Sequence, residues 1–141
     1  MPPQPTRTAT PAPAVRNHTG DKFLTLSYGY TADLDSLERT WEVQQGTAGS
    51  LGYDIRYSPG LEGGHKTDFA VVTGAKSYDT CASETGYESR VDQDEAQPGT
   101  NLCARTSGMR FAYITIKKVR GQGLSAQIDL DVTVWDPPFE E

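Results

Sequence analysis

The clearest alternation of apolar and polar positions lies near the C-terminal end. Ile128, Leu130, Val132 and Val134 fall on one side, and Asp129, Asp131, Thr133 and Trp135 on the other. A period of two over 124–135 predicts a half-buried strand, ended by Asp136-Pro137-Pro138 because proline cannot extend a ladder. A second alternating run, 110–119, puts Ala112, Ile114 and Ile116 on one face and Phe111, Tyr113 and Thr115 on the other. Neither face is purely polar, so this run predicts a central strand. Gly121-Gln122-Gly123 between the two runs reads as the turn of a closing hairpin.

The same period places further strands upstream. Residues 100–106 predict a strand containing Cys103, joined to the 110–119 strand by a Ser107-Gly108 turn. Residues 23–28 and 53–57 predict short strands. A run from Asp68 to Thr73 is carried on to Tyr78-Asp79-Thr80-Cys81, where it ends. The chain then turns acidic through Glu84, Glu88, Asp92, Asp94 and Glu95, up to a Pro98-Gly99 turn. Residues 46–52 and 58–66 read as loops. Segment 31–41 has two readings. Leu34, Leu37 and Trp41 have helical spacing with Asp33 as a cap, or the segment is a turn followed by a strand.

Composition narrows the picture. Numerous glycines, threonines and tyrosines with few helix formers favour an all-β fold with at most one short helix, an antiparallel sandwich-like domain. A chain of 141 residues supports one domain with a tail to spare. Residues 1–20 are rich in proline, threonine and alanine, and read as a disordered linker or stalk. The β-rich domain is expected over 21–138, with a short tail at 139–141. A net charge of −6 argues against a nucleic-acid partner, which needs a basic surface. The basic cluster Lys117-Lys118-Val119-Arg120 reads as a solvated strand end that discourages edge pairing. No apolar run has the length of a membrane helix. No signal-peptide core follows Met1-Pro2-Pro3. Export, or any membrane contact, would therefore depend on a segment outside this sequence.

Candidate chemistry is sparse. Gly121-Gln122-Gly123-Leu124-Ser125-Ala126 fits a loose dinucleotide fingerprint, but a strand follows where a helix is required. Asp33-Leu34-Asp35, Asp92-Gln93-Asp94-Glu95 and Asp129-Leu130-Asp131 invite calcium, yet none has the spacing of an EF-hand loop, and solvated acidic faces are the preferred reading. His65, in a glycine-rich loop, is too little for a nucleophilic triad. No catalytic residue and no cofactor or metal is expected. Asn17-His18-Thr19 matches a glycosylation sequon, a short and common pattern. Trp41, Tyr57 and Trp135 could form a sugar- or peptide-binding platform, although aromatics in a small β domain more often belong to the core. For Trp135, strict alternation implies exposure, whereas the following prolines let the strand twist and bury the ring at the sheet's rim; the buried, structural role is preferred.

Cys81 and Cys103 allow a single intramolecular pairing. Closing the loop between them would stabilise the fold by roughly 3 kcal/mol in the chain-entropy model. The alternative is two free, buried thiols in a cytoplasmic protein.

Several segments occur in a telling order: Gly29-Tyr30, Asp33-Leu34-Asp35-Ser36, Val72-Thr73-Gly74-Ala75, Tyr78-Asp79-Thr80-Cys81, Gly99-Thr100-Asn101-Leu102-Cys103-Ala104-Arg105-Thr106, and Leu130-Asp131-Val132-Thr133-Val134-Trp135-Asp136-Pro137. This order resembles a domain at the extracytoplasmic C-terminal end of actinobacterial membrane-anchored proteins, some serine/threonine kinases among them. The resemblance covers about residues 21–138. It implies a β-rich fold with Cys81 and Cys103 paired, hung from a stalk, and no catalytic site. One departure is Leu37, where the pattern has glycine.

The leading functional expectation is a non-catalytic, extracytoplasmic binding or sensory module whose partner is an unidentified ligand or envelope component. One alternative is a structural cell-envelope interaction domain. Another is a glycan-acting hydrolase, which would need two carboxylates facing across a cleft.

Overall fold

A computed structural model describes residues 13–46, 53–58, 60–64 and 66–137. His65, residues 1–12 of the expected linker, most of the 46–52 loop and the 139–141 tail lie outside these. The fold is mostly β, with antiparallel sheets and one short helix. In chain order the elements are β1 (Ala14–His18), β2 (Leu24–Ser27), β3 (Tyr30–Ala32), β4 (Gln44–Gln45), β5 (Ile55–Tyr57), β6 (Leu61–Gly63), β7 (Asp68–Val72), α1 (Tyr78–Ala82), β8 (Arg90–Val91), β9 (Asn101–Arg105), β10 (Phe111–Arg120) and β11 (Gln127–Asp136).

The larger sheet runs β1-β11-β10-β9-β7, and β2 continues the β1 edge along the other half of β11. The smaller sheet runs β4-β3-β5-β6-β8. The alternation in β11 has the expected sense: Ile128, Leu130, Val132 and Val134 are all fully buried. Each such side chain contributes roughly 1.5–3 kcal/mol relative to an exposed one. They join Leu102, Ile114 and Ile116 of the larger sheet and Ile55, Tyr57 and Leu61 of the smaller in one core between the layers.

The opposite face of the larger sheet carries a second, smaller core. Ala70, Val72, Cys103, Tyr113 and Trp135 meet Cys81 of α1, with Tyr78, Tyr87 and Phe111 packed against them. This explains why neither face of β10 is polar: it lies between β9 and β11 with apolar neighbours above and below. Cys81 and Cys103 form a disulfide, with Cα atoms 5.3 Å apart, that pins α1 to β9.

Four local readings are corrected. The expected strand through Cys81 is a helix, because the Ser77 hydroxyl accepts the Thr80 N–H and caps its first turn. The segment 31–41, open to two readings, is β3 followed by consecutive turns, neither a helix nor a turn leading into a strand. Asp33 accepts the Asp35 N–H and Ser36 the Glu38 N–H, side-chain bonds that compete with helical ones. Leu37 accordingly stays exposed while Leu34 is buried. The domain begins before residue 21, since β1 pairs with the end of β11 from Ala14. The 58–66 loop and the acidic stretch contain β6 and β8, which pair with each other.

Candidate functional site

Two constellations stand out, and both centre on the turns of 33–41.

The first is a carboxylate cluster. Asp33, Asp35 and Asp54 place ligand-capable atoms within 4.8 Å of one another. Asp54 is fully buried just before β5. Its Oδ1 accepts from the Thr67 hydroxyl at 3.0 Å, the Ser107 hydroxyl at 2.7 Å and the Ser107 N–H at 3.2 Å. Its Oδ2 accepts the Asp35 N–H at 3.1 Å. Asp35 in turn accepts from the Thr106 hydroxyl, the Gly108 N–H and Arg110. The two carboxylates thereby grip the Ser107-Gly108-Met109 loop between β9 and β10. Gly108 leaves room for this grip: a Cβ on it would stand 2.8 Å from the Asp35 carboxylate and would also meet the Arg110 guanidinium. The residue of this turn in the left-handed region is Met109, at φ 64°.

Charge in the cluster is uneven. Burial, then a hydrogen bond to Asp54, pushes the Asp33 carboxyl up to about 7. Burial alone would raise Asp54 as well, but bonds from Asp33, Ser107 and Thr67 outweigh it and hold Asp54 below the usual carboxylate range. Asp33 and Asp35 are thus not a solvated acidic face, and nor is Asp129, which is 7% exposed and accepts from Thr25 and Arg120. Asp35 and Asp129 were unreadable in sequence because donors such as Arg110 and Thr25 lie far along the chain. Protein N–H and O–H groups point at the cluster's oxygens. That is the wrong polarity for a cation site, which needs free oxygen lone pairs. Nor does a buried Asp54 face a cleft as a glycosidase carboxylate must.

The second constellation is a groove of about 690 Å³ lined by residues 15–22 together with Arg39 and Thr40. Its floor is β1. Arg16 Nε donates to the Asp35 carbonyl at 2.7 Å, and Asn17 Nδ2 donates to the carbonyls of Ser36 and Glu38. These bonds stitch the strand to the turns beside it. They also commit the sequon's Asn17 amide, which a glycan would have to pull free. The opposite wall ends at Trp41 and Glu42, both in the left-handed region at φ 56° and 52°. For an aromatic residue that conformation is an outlier, sustained by surrounding structure. Here the Trp41 ring is 2% exposed in the main core, and its carbonyl accepts the Asp33 N–H.

The three aromatic candidates do not share an exposed face. Trp41 and Tyr57 sit in the main core and Trp135 in the second. Trp135 is 8% exposed without any departure from alternation: the outer face it occupies is itself covered. Trp41 follows the groove-lining Thr40 in the chain, and the groove itself escaped sequence reading because its cations are scattered from 16 to 39 across strands and turns. Lys117 and Lys118 are exposed on β10, and Arg120 pairs with Asp129. Among the described residues no helix is long and apolar enough to cross a membrane.

No protein-family model matches this chain, and neither a curated protein nor a solved structure does.

Proposed function

We propose that this domain is a non-catalytic, extracytoplasmic binding module that takes its ligand in the groove between β1 and the 36–41 turns. The observation that carries the reading is the groove's construction. Its floor and wall are fixed by side-chain bonds to backbone carbonyls and by a core-anchored tryptophan in a strained conformation. A preformed site of this size suits a small ligand, because little ordering entropy remains to oppose binding. The buried disulfide supports an oxidising location, since such bonds persist outside the reducing cytoplasm. The resemblance to extracytoplasmic domains of membrane-anchored proteins supports the same placement and an envelope component as partner. The clustered carboxylates support a non-catalytic role, because Asp35 and Asp54 hold the β9–β10 loop and Asp54 is fully buried.

Co-sedimentation with insoluble cell-wall material, followed by mass spectrometry of the soluble fraction, tests this reading. Retention of the protein without released fragments is expected. Fragment release would instead establish the hydrolase, and absence of retention would count against an envelope ligand.

A further inference from the structure

We infer that the groove selects a small ligand bearing two or more anionic groups, phosphate or carboxylate. This rests on the reading of the domain as a binding module and gives it a ligand class. The groove lining brings together Arg16, Lys22 and Arg39 with one carboxylate, Asp21, in a chain whose net charge is −6.

The pairing pattern sharpens the point. Arg16, Arg56, Arg90, Arg105, Arg110 and Arg120 each have an acidic partner. Arg39 is the one arginine among the described residues with no ion pair, and Lys22 has none either. Both are exposed at the groove. Arg16 is different in kind. Its guanidinium is fixed by the Asp35 carbonyl through Nε and by Asp136 through Nη1 at 3.4 Å, while Nη2 has no acceptor among the described residues. One guanidinium nitrogen held in place beside two exposed cations suits oxyanions, since Arg39 offers parallel N–H donors and Lys22 a mobile point charge. The strained Trp41-Glu42 pair fixes the end of the turn that presents Arg39. In a molecule otherwise repelling anions, such a spot selects by contrast, and screening by salt should weaken it. Lys117 and Lys118 also lack ion pairs among the described residues, but they lie on an exposed strand end and are not part of this groove.

The test is calorimetric titration of the full chain with inorganic pyrophosphate, with citrate and with neutral cellobiose, at low and high salt. Binding of at least one anion, weakened by salt, is expected, and the stronger of the two identifies phosphate or carboxylate as the recognised group. The Lys22→Ala/Arg39→Ala double variant should lose about tenfold or more, the scale of one charge-assisted hydrogen bond. Both side chains are exposed, so the variant should keep the parent's melting temperature, and Lys117→Ala/Lys118→Ala should bind like the parent. Equal anion affinity in the double variant, or no anion binding at all, would overturn the inference. Cellobiose binding that the double variant leaves intact, without anion binding, would overturn it too while leaving the binding-module reading standing.

Discussion

Asp33 and Asp54 belong to one carboxylate cluster with oxygens within 4.8 Å of each other, and burial, then a hydrogen bond to Asp54, favours a proton on Asp33. The folded-state value of Asp33, about 7, stands above the ordinary 3.8. Between those values the folded chain keeps a proton that the unfolded chain releases. Its contribution to stability is therefore fully present below about 3.8 and is lost as pH rises towards 7. Asp54, held low, contributes in the opposite sense: its stabilisation is fully present above the ordinary value of 3.8 and is lost as pH falls below it.

Asp33→Asn isolates this effect. The amide can donate to Asp54 as the protonated acid does, and its oxygen can still accept the Asp35 N–H. Relative to this variant, the parent should lose stability between pH 4.5 and pH 7.5 (about the window set by the shift). Chemical denaturation at several pH values measures it. A parent-minus-variant difference that does not change with pH would show that the pair shares no proton.

Replacing Cys81 and Cys103 by alanine should cost about 3 kcal/mol, the loop-closure value for a separation of 22 residues. The loss should be local in character. α1 has five residues and is held by this bond and the second core, so its amides should exchange faster while β10 and β11 stay protected. Urea unfolding with hydrogen exchange checks both parts, and equal exchange in α1 would contradict the pinning role.

Trp135→Ala should destabilise by about 3–5 kcal/mol, the usual cost of emptying a large aromatic site. An unchanged melting temperature would mean that the second core does not depend on this ring.

Gly108→Ala should cost about 1–3 kcal/mol by overpacking, because the new methyl meets the Asp35 carboxylate and Arg110. Thermal unfolding reads this directly. A neutral outcome would show that the carboxylate grip on the β9–β10 loop yields easily.

Strands β10 and β11 were legible because apolar positions alternate over 111–116 and again over 128–135. Strand β1 was hidden by its composition: Ala14–His18 has no apolar period, and only its pairing with β11 makes it a strand. Helix α1 was hidden by its brevity, with the Ser77 cap as the one local signal. The acidic positions misled for a related reason. Asp54 takes Ser107, 53 positions away, as a partner, and Asp35 takes Arg110, 75 away. Long-range partners of this kind leave no mark on local pattern. The groove combines both difficulties, since its floor is the hidden strand and its wall a run of irregular turns.

The central claim is that ligand enters at β1 and the 36–41 turns. Residue-resolved amide shift mapping with soluble cell-wall fragments tests it most directly. The account predicts changes concentrated at residues 15–22 and at Arg39 and Thr40, with fragment masses unaltered. Changes concentrated instead around Asp33, Asp54 and Ser107, or cleavage of the fragments, would contradict it.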